Sequence, residues 1–220
     1  MTIVDRAIEL CTRAITQGPE FEDIHIVLTG GRTGSMITQR MGVVATEVPP
    51  SAWDRVHLWW GDERFVSRDS PERNDFGIET ILGDRYSPDR VHRALGNDQC
   101  NDVEASAKNY LEQLTQFGPQ GPQFSLVIVG MGPDGHIASL FPHSPQLSQS
   151  ELCVAVKDSP KPPSERITLT LKALNRTSVA VILAGGIEKV EALHRLCADQ
   201  GSTEVTPARG ISAPVIEILR

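Results

Sequence analysis

The sequence predicts a single α/β domain over residues 1–220, with a mostly parallel sheet covered by helices on both faces. Three observations carry that prediction. Four near-continuous apolar runs, at 24–28, 56–60, 126–129 and 179–183, show no polar alternation, which is the pattern of strands buried on both sides. Each run leads into a polar loop containing glycine, and helical periodicity resumes behind the first and the last of them. At 220 residues with 40% hydrophobic content the chain can bury one large core, and no repeat, low-complexity tract or evident linker divides it.

Ile3, Ala7, Ile8, Cys11, Ala14 and Ile15 recur at helical spacing behind Thr2 and Asp5, a pair that resembles a capping box, and Gly18-Pro19 ends this helix. The run 24–28 reads as a strand, Gly30-Gly31 as its turn, and residues from about 35 to 45 as a second helix. The run 56–60 ends on Gly61-Asp62-Glu63-Arg64, and 126–129 leads into glycines 130, 132 and 135. The last run, 179–183, precedes Gly185-Gly186 and an amphipathic helix carrying Ile187, Val190, Leu193 and Cys197. Ser159-Pro160-Lys161-Pro162-Pro163-Ser164 is a stiff loop, either a lid or clamp or a plain connector, beside Arg166 at the head of a β-branched run. Right-handed crossovers place the carboxyl ends of parallel strands on one rim, where ligands collect, so the four polar loops mark the candidate site.

Lys and Arg total 21 against 28 Asp and Glu, and the net charge of −7 opposes general affinity for nucleic acid or anionic membranes. An anionic small molecule therefore requires a local basic pocket. Cys11, Cys100, Cys153 and Cys197 form no C-x-x-C pair, which argues against a zinc ribbon or redox dithiol and for reduced structural thiols. The N-terminus has no basic leader with an apolar segment behind it, and no apolar run reaches the roughly 18 residues of a spanning helix. Cytoplasmic residence is expected, with neither a nucleic-acid nor a membrane partner.

The loops carry the chemistry. Thr29-Gly30-Gly31-Arg32-Thr33-Gly34-Ser35 opens a helix, where unpaired amides and the positive dipole end favour an anion; the alternative is a plain tight turn, and the lysine of a nucleotide P-loop is missing. Asp62-Glu63-Arg64 offers carboxylates and a guanidinium fork for phosphate or a sugar, unless it is an internal ion-pair cluster. Asn74 can offer an amide to sugar hydroxyls or cap a helix. The stretch from Gly130 to Pro142 formally matches G-x-G-x-x-G, but Pro142 leaves only about six residues for a crossover that normally takes about a dozen, which weakens a dinucleotide reading. His136 follows that turn. An imidazole with an ordinary pKa of about 6.5 can take a proton from water near neutrality, and Asp134 stands two residues away to orient it; the alternative is a histidine that merely closes the turn. Lys189, placed on the first turn of the last helix, sits where the dipole disfavours a cation, a cost that a bound anion offsets. Histidines 25, 57, 92 and 194 read as structural, with His143 alone near the proposed site. No H-x-x-x-H pair or G-x-S-x-G element occurs, so neither a metal nor a serine nucleophile is indicated, and water is the expected nucleophile.

Six ordered motifs resemble the glucosamine-6-phosphate isomerase/6-phosphogluconolactonase family: Gly30-Gly31-Arg32-Thr33, Asp62-Glu63-Arg64 with Asn74, Gly130 through Pro142, Pro163 through Thr168, Gly186-Ile187-Glu188-Lys189, and Pro207-Ala208. Arg64 and the run Asp134 through Pro142 are similar to the lactonase branch; deaminases carry tyrosine at the first position and diverge after Ala138. Two departures from the family pattern are Gly34, where proline is common, and His143-Ser144-Pro145, where glycine-histidine-proline is common. The resemblance implies a modified Rossmann-like sheet and lactone hydrolysis on a phosphorylated sugar without metal or cofactor. It implies His136 as general base, with Arg64, Arg166 and Lys189 around the anionic substrate. Gly30, Gly31, Arg32, Thr33, Asp62 and Asn74 complete the expected binding set, Asp134 supports the base, and a monomer or weak homodimer is the expected unit. A deaminase of amino-sugar phosphates and a non-catalytic sugar-phosphate sensor are the rival readings.

Overall fold

The computed structural model describes residues 1–119 and 123–220. Its centre is a five-stranded, all-parallel sheet built from β1 (Ile24–Leu28), β2 (Val56–Trp60), β4 (Leu126–Gly130), β7 (Val179–Leu183) and β8 (Val215–Leu219), in the order β2-β1-β4-β7-β8. The four strands read from the sequence are the inner three of that order, β1, β4 and β7, plus the edge strand β2. The edge strand β8 was not anticipated: it is half exposed, so its residues do not form the sealed apolar run that marks its neighbours. A second, antiparallel sheet, β3 (Asp62–Arg64), β6 (Arg166–Leu169) and β5 (Cys153–Val156), in the order β3-β6-β5, was also not foreseen.

The side chains of alternate strand residues divide the core. Ile24, Ile26, Leu28, Leu58, Ile128, Val181 and Leu183 face α1 (Ile3–Gln17) and α2 (Gly31–Glu47), with the short α3 (Pro50–Trp53) and α4 (Ile78–Leu82) beside them. Val27, Trp59, Val127, Val129, Ala180 and Ile182 face α5 (Val103–Phe117), the small sheet, α6 (Leu171–Leu174) and α7 (Val190–Cys197). Helices thus cover both faces, but on the second face they share the work with a sheet.

Local signals are mostly as expected. Thr2 Oγ1 accepts from Asp5 N at 3.1 Å while Asp5 Oδ2 accepts from Thr2 N at 3.0 Å, closing the capping box of α1. Two helix boundaries differ. The second helix begins at Gly31 rather than near Ser35, because Gly31 at φ 74° turns the chain directly into the first helical turn. Ile187 belongs to a 3-10 turn (Ile187–Lys189) and is 91% exposed, so it is not part of the buried stripe of α7; Lys189 is the residue at which that helix begins rather than a member of its first turn. At the amino ends of the strands His25, His57 and His92 pack around Trp59, whose ring stacks on His92 with centroids 3.7 Å apart. Their positions are structural, far from the loops at the other rim.

Candidate active site

The loops at the carboxyl ends of β1, β4 and β7 meet the small sheet around a cavity of ≈ 190 Å³, lined by Thr29, Gly30, Gly31, Asp62, Arg64, Asn74, Gly130, Met131, Gly132, His136, Ala138, Arg166 and Lys189. A larger cleft, ≈ 900 Å³, opens at the opposite end of the sheet with Leu10, Ala14, Phe117, Phe124 and Val179 among its lining, but among the described residues it gathers no comparable set of cations.

The loop after β4 is folded by its own backbone rather than by a helix. Gly132 N donates to the His136 carbonyl at 2.8 Å and Gly135 N donates to the Gly132 carbonyl at 3.0 Å, with Gly135 at φ 89°. No helix follows the third glycine, as the position of Pro142 implies. This turn holds the His136 ring against Phe141, with centroids 4.7 Å apart, and leaves no room at Gly132, where a Cβ would lie 2.0 Å from the ring. His136 Nδ1 hydrogen-bonds Asp134 Oδ1. Partial burial pushes the Asp134 carboxyl up, but the His136 ring and the Lys161 ammonium outweigh that and hold it well below the usual carboxylate range. An ionised Asp134 fixes the proton on Nδ1 and leaves Nε2 as the free basic nitrogen.

The antiparallel pairing of β3 and β6 sets Arg64 opposite Arg166. Arg166 is 5% exposed. Its Nε donates to the Pro163 carbonyl at 3.1 Å and its Nη2 to the Lys161 and Pro162 carbonyls, both at 3.0 Å, while Nη1 lies 3.7 Å from Asp62 Oδ2. Burial, and the neighbouring Arg64 charge against the pull of Asp62, lower its pKa. Arg64 donates through Nη1 to the Glu72 carbonyl, and its buried Nε has no partner. Asp62 is itself held: Ser139 Oγ donates to its Oδ2 at 2.7 Å and Asn74 Nδ2 to its Oδ1 at 3.1 Å and its carbonyl at 2.7 Å.

The Asp62-Glu63-Arg64 segment divides between the cavity and the interior. Asp62 and Arg64 line the cavity, whereas Glu63 points into a buried cluster. Its carboxylate accepts from the amides of Arg64, Asn74 and Asp75 at 2.8, 2.7 and 3.1 Å, with Arg73 3.8 Å away. Burial and the nearby Asp75 push the Glu63 carboxyl above its ordinary value. Asp75 in turn receives Arg73 and Arg93, at 2.8 and 2.7 Å. The two donors of the Asn74 side-chain amide are directed to Asp62, so what it turns towards the first loop is Oδ1, against which Gly30 packs so closely that a Cβ would sit 1.8 Å away.

Gly30 and Gly31 bring the amino end of α2 to the cavity, and Thr29 Oγ1 accepts from Gly130 N at 3.0 Å, joining the first and third loops. Gly34 packs on the Thr29 carbonyl, with a Cβ position 2.2 Å from its oxygen. Arg32 is exposed and, like Thr33, does not line the cavity. Lys189 does; burial, together with the positive charges of Arg32 and Lys161 and against the pull of Glu188, lowers its ammonium pKa. His143 is exposed, at φ 60°, and pairs with Glu204 at 3.3 Å outside the cavity. Four contributors were not singled out from the sequence: Thr29, Ser139, Thr168, whose Oγ1 accepts from Ser139 N at 3.2 Å, and Lys161, whose Nζ lies 3.3 Å from His136 Nδ1. Among the described residues no group of three or more His, Cys, Asp or Glu is arranged to hold a metal, and no helix is long and apolar enough to cross a membrane.

Comparison with known proteins gives the family and the fold. Residues 1–218 match the family model described as glucosamine-6-phosphate isomerases/6-phosphogluconolactonase. The chain is 38% identical over 193 residues to the 6-phosphogluconolactonase of Mycobacterium leprae, covering 84% of this chain and 76% of that protein. It is 36% identical over 215 residues to that of Streptomyces coelicolor, covering 93% and 81%. The crystal structure of 6-phosphogluconolactonase from Thermotoga maritima superposes with a TM-score of 0.80 at 27% identity, covering 98% of this chain and 92% of the other. With a parallel sheet, a rim of glycine loops and a match over nearly its full length, the chain belongs to the glucosamine-6-phosphate isomerase/6-phosphogluconolactonase family.

Proposed function

We propose that this chain hydrolyses 6-phosphoglucono-1,5-lactone to 6-phosphogluconate, with His136 as general base. One observation carries the reading: an imidazole oriented by an ionised carboxylate shares a single cavity with three cations, Arg64, Arg166 and Lys189, and with the amino end of α2. The phosphate is held by Lys189, the amides at Gly30 and Gly31, and the Nη1 side of Arg166. His136 Nε2 takes a proton from water as its oxygen attacks the lactone carbonyl, and the partly unpaired Arg64 guanidinium steadies the oxyanion, a contribution worth about 3 kcal/mol for a well-placed donor. Collapse of the tetrahedral intermediate breaks the bond from the carbonyl carbon to the ring oxygen, and the imidazolium returns its proton to that oxygen. Neither metal nor cofactor enters this sequence. A monomer or weak homodimer is the proposed unit, and the four free thiols support cytoplasmic residence.

The test follows lactone decay with and without the protein in mildly acidic buffer, where background hydrolysis is slow. Acceleration that survives chelator and drops roughly 100- to 10,000-fold in His136→Ala is the expected result. Undiminished turnover in that variant removes the base assignment. A deaminase would instead release ammonia from glucosamine 6-phosphate, and a sensor would bind 6-phosphogluconate and leave the lactone to its spontaneous rate.

A further inference from the structure

The proline-rich loop brings a third charged side chain to the His136–Asp134 pair. The backbone of Lys161 is fixed: its carbonyl accepts from Arg166 Nη2 at 3.0 Å and from Ser159 Oγ at 2.9 Å, and its N–H donates to Ser159 Oγ at 3.3 Å. From that fixed point the side chain places Nζ 3.3 Å from His136 Nδ1 and 3.8 Å from Asp134 Oδ1. Nδ1 cannot both donate to Asp134 and accept from Lys161. With Asp134 ionised and the proton on Nδ1, the approach of the ammonium is coulombic, a cation beside the ring that must itself become a cation during the reaction.

We propose that Lys161 is a positioning residue for the base, countering Asp134 on the Nδ1 side of His136 so that the imidazole both accepts a proton from water and readily gives it up to the departing ring oxygen. Asp134 alone would stabilise the imidazolium and slow its release of that proton; Lys161 weakens the hold. The other charged groups around His136 are Asp62 and Arg64 from β3, Arg166 from β6, and Lys189 ahead of α7, all lining the same cavity, while Phe141 adds an uncharged ring. Lys161 differs from these cations in lying on the Nδ1 side, against the Asp134 bond, where it acts on the proton rather than on the substrate. The assignment rests on His136 being the base.

The experiment compares wild type, Lys161→Met and Lys161→Arg, each checked for an unchanged melting curve. In the pH profile of kcat/KM, loss of the cation moves the acid limb up by about one pH unit in Lys161→Met, and the arginine variant restores it to near the wild-type position. The same displacement holds for unphosphorylated gluconolactone, which has no phosphate for Lys161 to grip. A limb that stays in place in Lys161→Met overturns the proposal, including the case in which KM for the phosphorylated lactone alone rises, which would make Lys161 a phosphate ligand. The titration midpoint of the His136 ring nitrogens, followed by NMR in the three proteins without substrate, reads the same contact independently of turnover. An inactive wild type with that midpoint displaced in Lys161→Met sinks the hydrolase reading and leaves the Lys161 contact standing; a midpoint that does not move sinks the contact.

Discussion

The position of the His136 ring is decided by the absence of one carbon. Gly132 lies under the imidazole, and an alanine there would place Cβ 2.0 Å from Cε1 and 2.1 Å from Nδ1, so the ring has to leave its bond with Asp134. Gly132→Ala is expected to cut kcat/KM by at least about tenfold, since loss of one oriented base removes a factor of this order or more; lactone decay measures it, and a wild-type rate would show that the ring does not need its present seat. At this scale the location of the cavity was legible because polar and charged side chains stood beside glycine turns. His136, Asp134, Arg64 and Lys189 could be picked out from loop position and charge alone. Asn74 reads as either an amide for sugar hydroxyls or a helix cap; it lines the cavity while its amide donors serve Asp62, a partner twelve residues away that local sequence does not display. Lys161 escaped notice for the same reason: only the folded loop reveals that it turns back to His136.

Among the elements, the proline-rich loop depends on a single guanidinium. Arg166 reaches the carbonyls of Lys161, Pro162 and Pro163 from the adjoining strand, so its planar fork organises the loop as well as the cavity. A lysine at this position reaches one of those carbonyls and strands the others. Arg166→Lys is expected to lower stability by about 2 kcal/mol, from hydrogen bonds worth about 0.5–1.5 kcal/mol each, and to raise KM; urea unfolding and steady-state rates check both, and unchanged stability would detach the arginine from the loop. Strands β1, β2, β4 and β7 of the large sheet were legible because burial on both faces leaves unbroken apolar runs, whereas the half-exposed β8 was not. The small sheet was not, since three or four residues such as Asp62-Glu63-Arg64 carry no period and owe their extended form to pairing with β6. The start of α2 lies earlier than the sequence suggests because a glycine pair reads as a turn, whereas here Gly30 is the extended cap and Gly31 the first helical residue.

For the molecule as a whole, the two ends of the parallel sheet carry different electrostatic loads. The amino end carries His25, His57 and His92, all buried; burial, then the neighbouring histidines or Arg90, lowers each, with His25 brought to about 4 and His92 to about 3. The unfolded chain binds these protons near pH 6.5 and the folded chain refuses them, so stability from this cluster is complete above that value and is lost as pH falls towards 4 and below. A decline on the order of 3 kcal/mol between pH 7 and 4 is expected, read from urea midpoints, and a flat profile from pH 7 to 5 would contradict it. The other end of the sheet holds the two arginines that antiparallel register puts face to face, Arg64 opposite Arg166. Cross-strand neighbours of like sign repel, and Asp62 beside Arg166 relieves only part of this. Arg64 and Arg166 therefore repel each other across the strand pair, and any well-seated oxyanion relieves that repulsion. Inorganic phosphate should raise the melting temperature well beyond what chloride does at equal ionic strength, and Arg64→Gln should melt higher than wild type until phosphate is added.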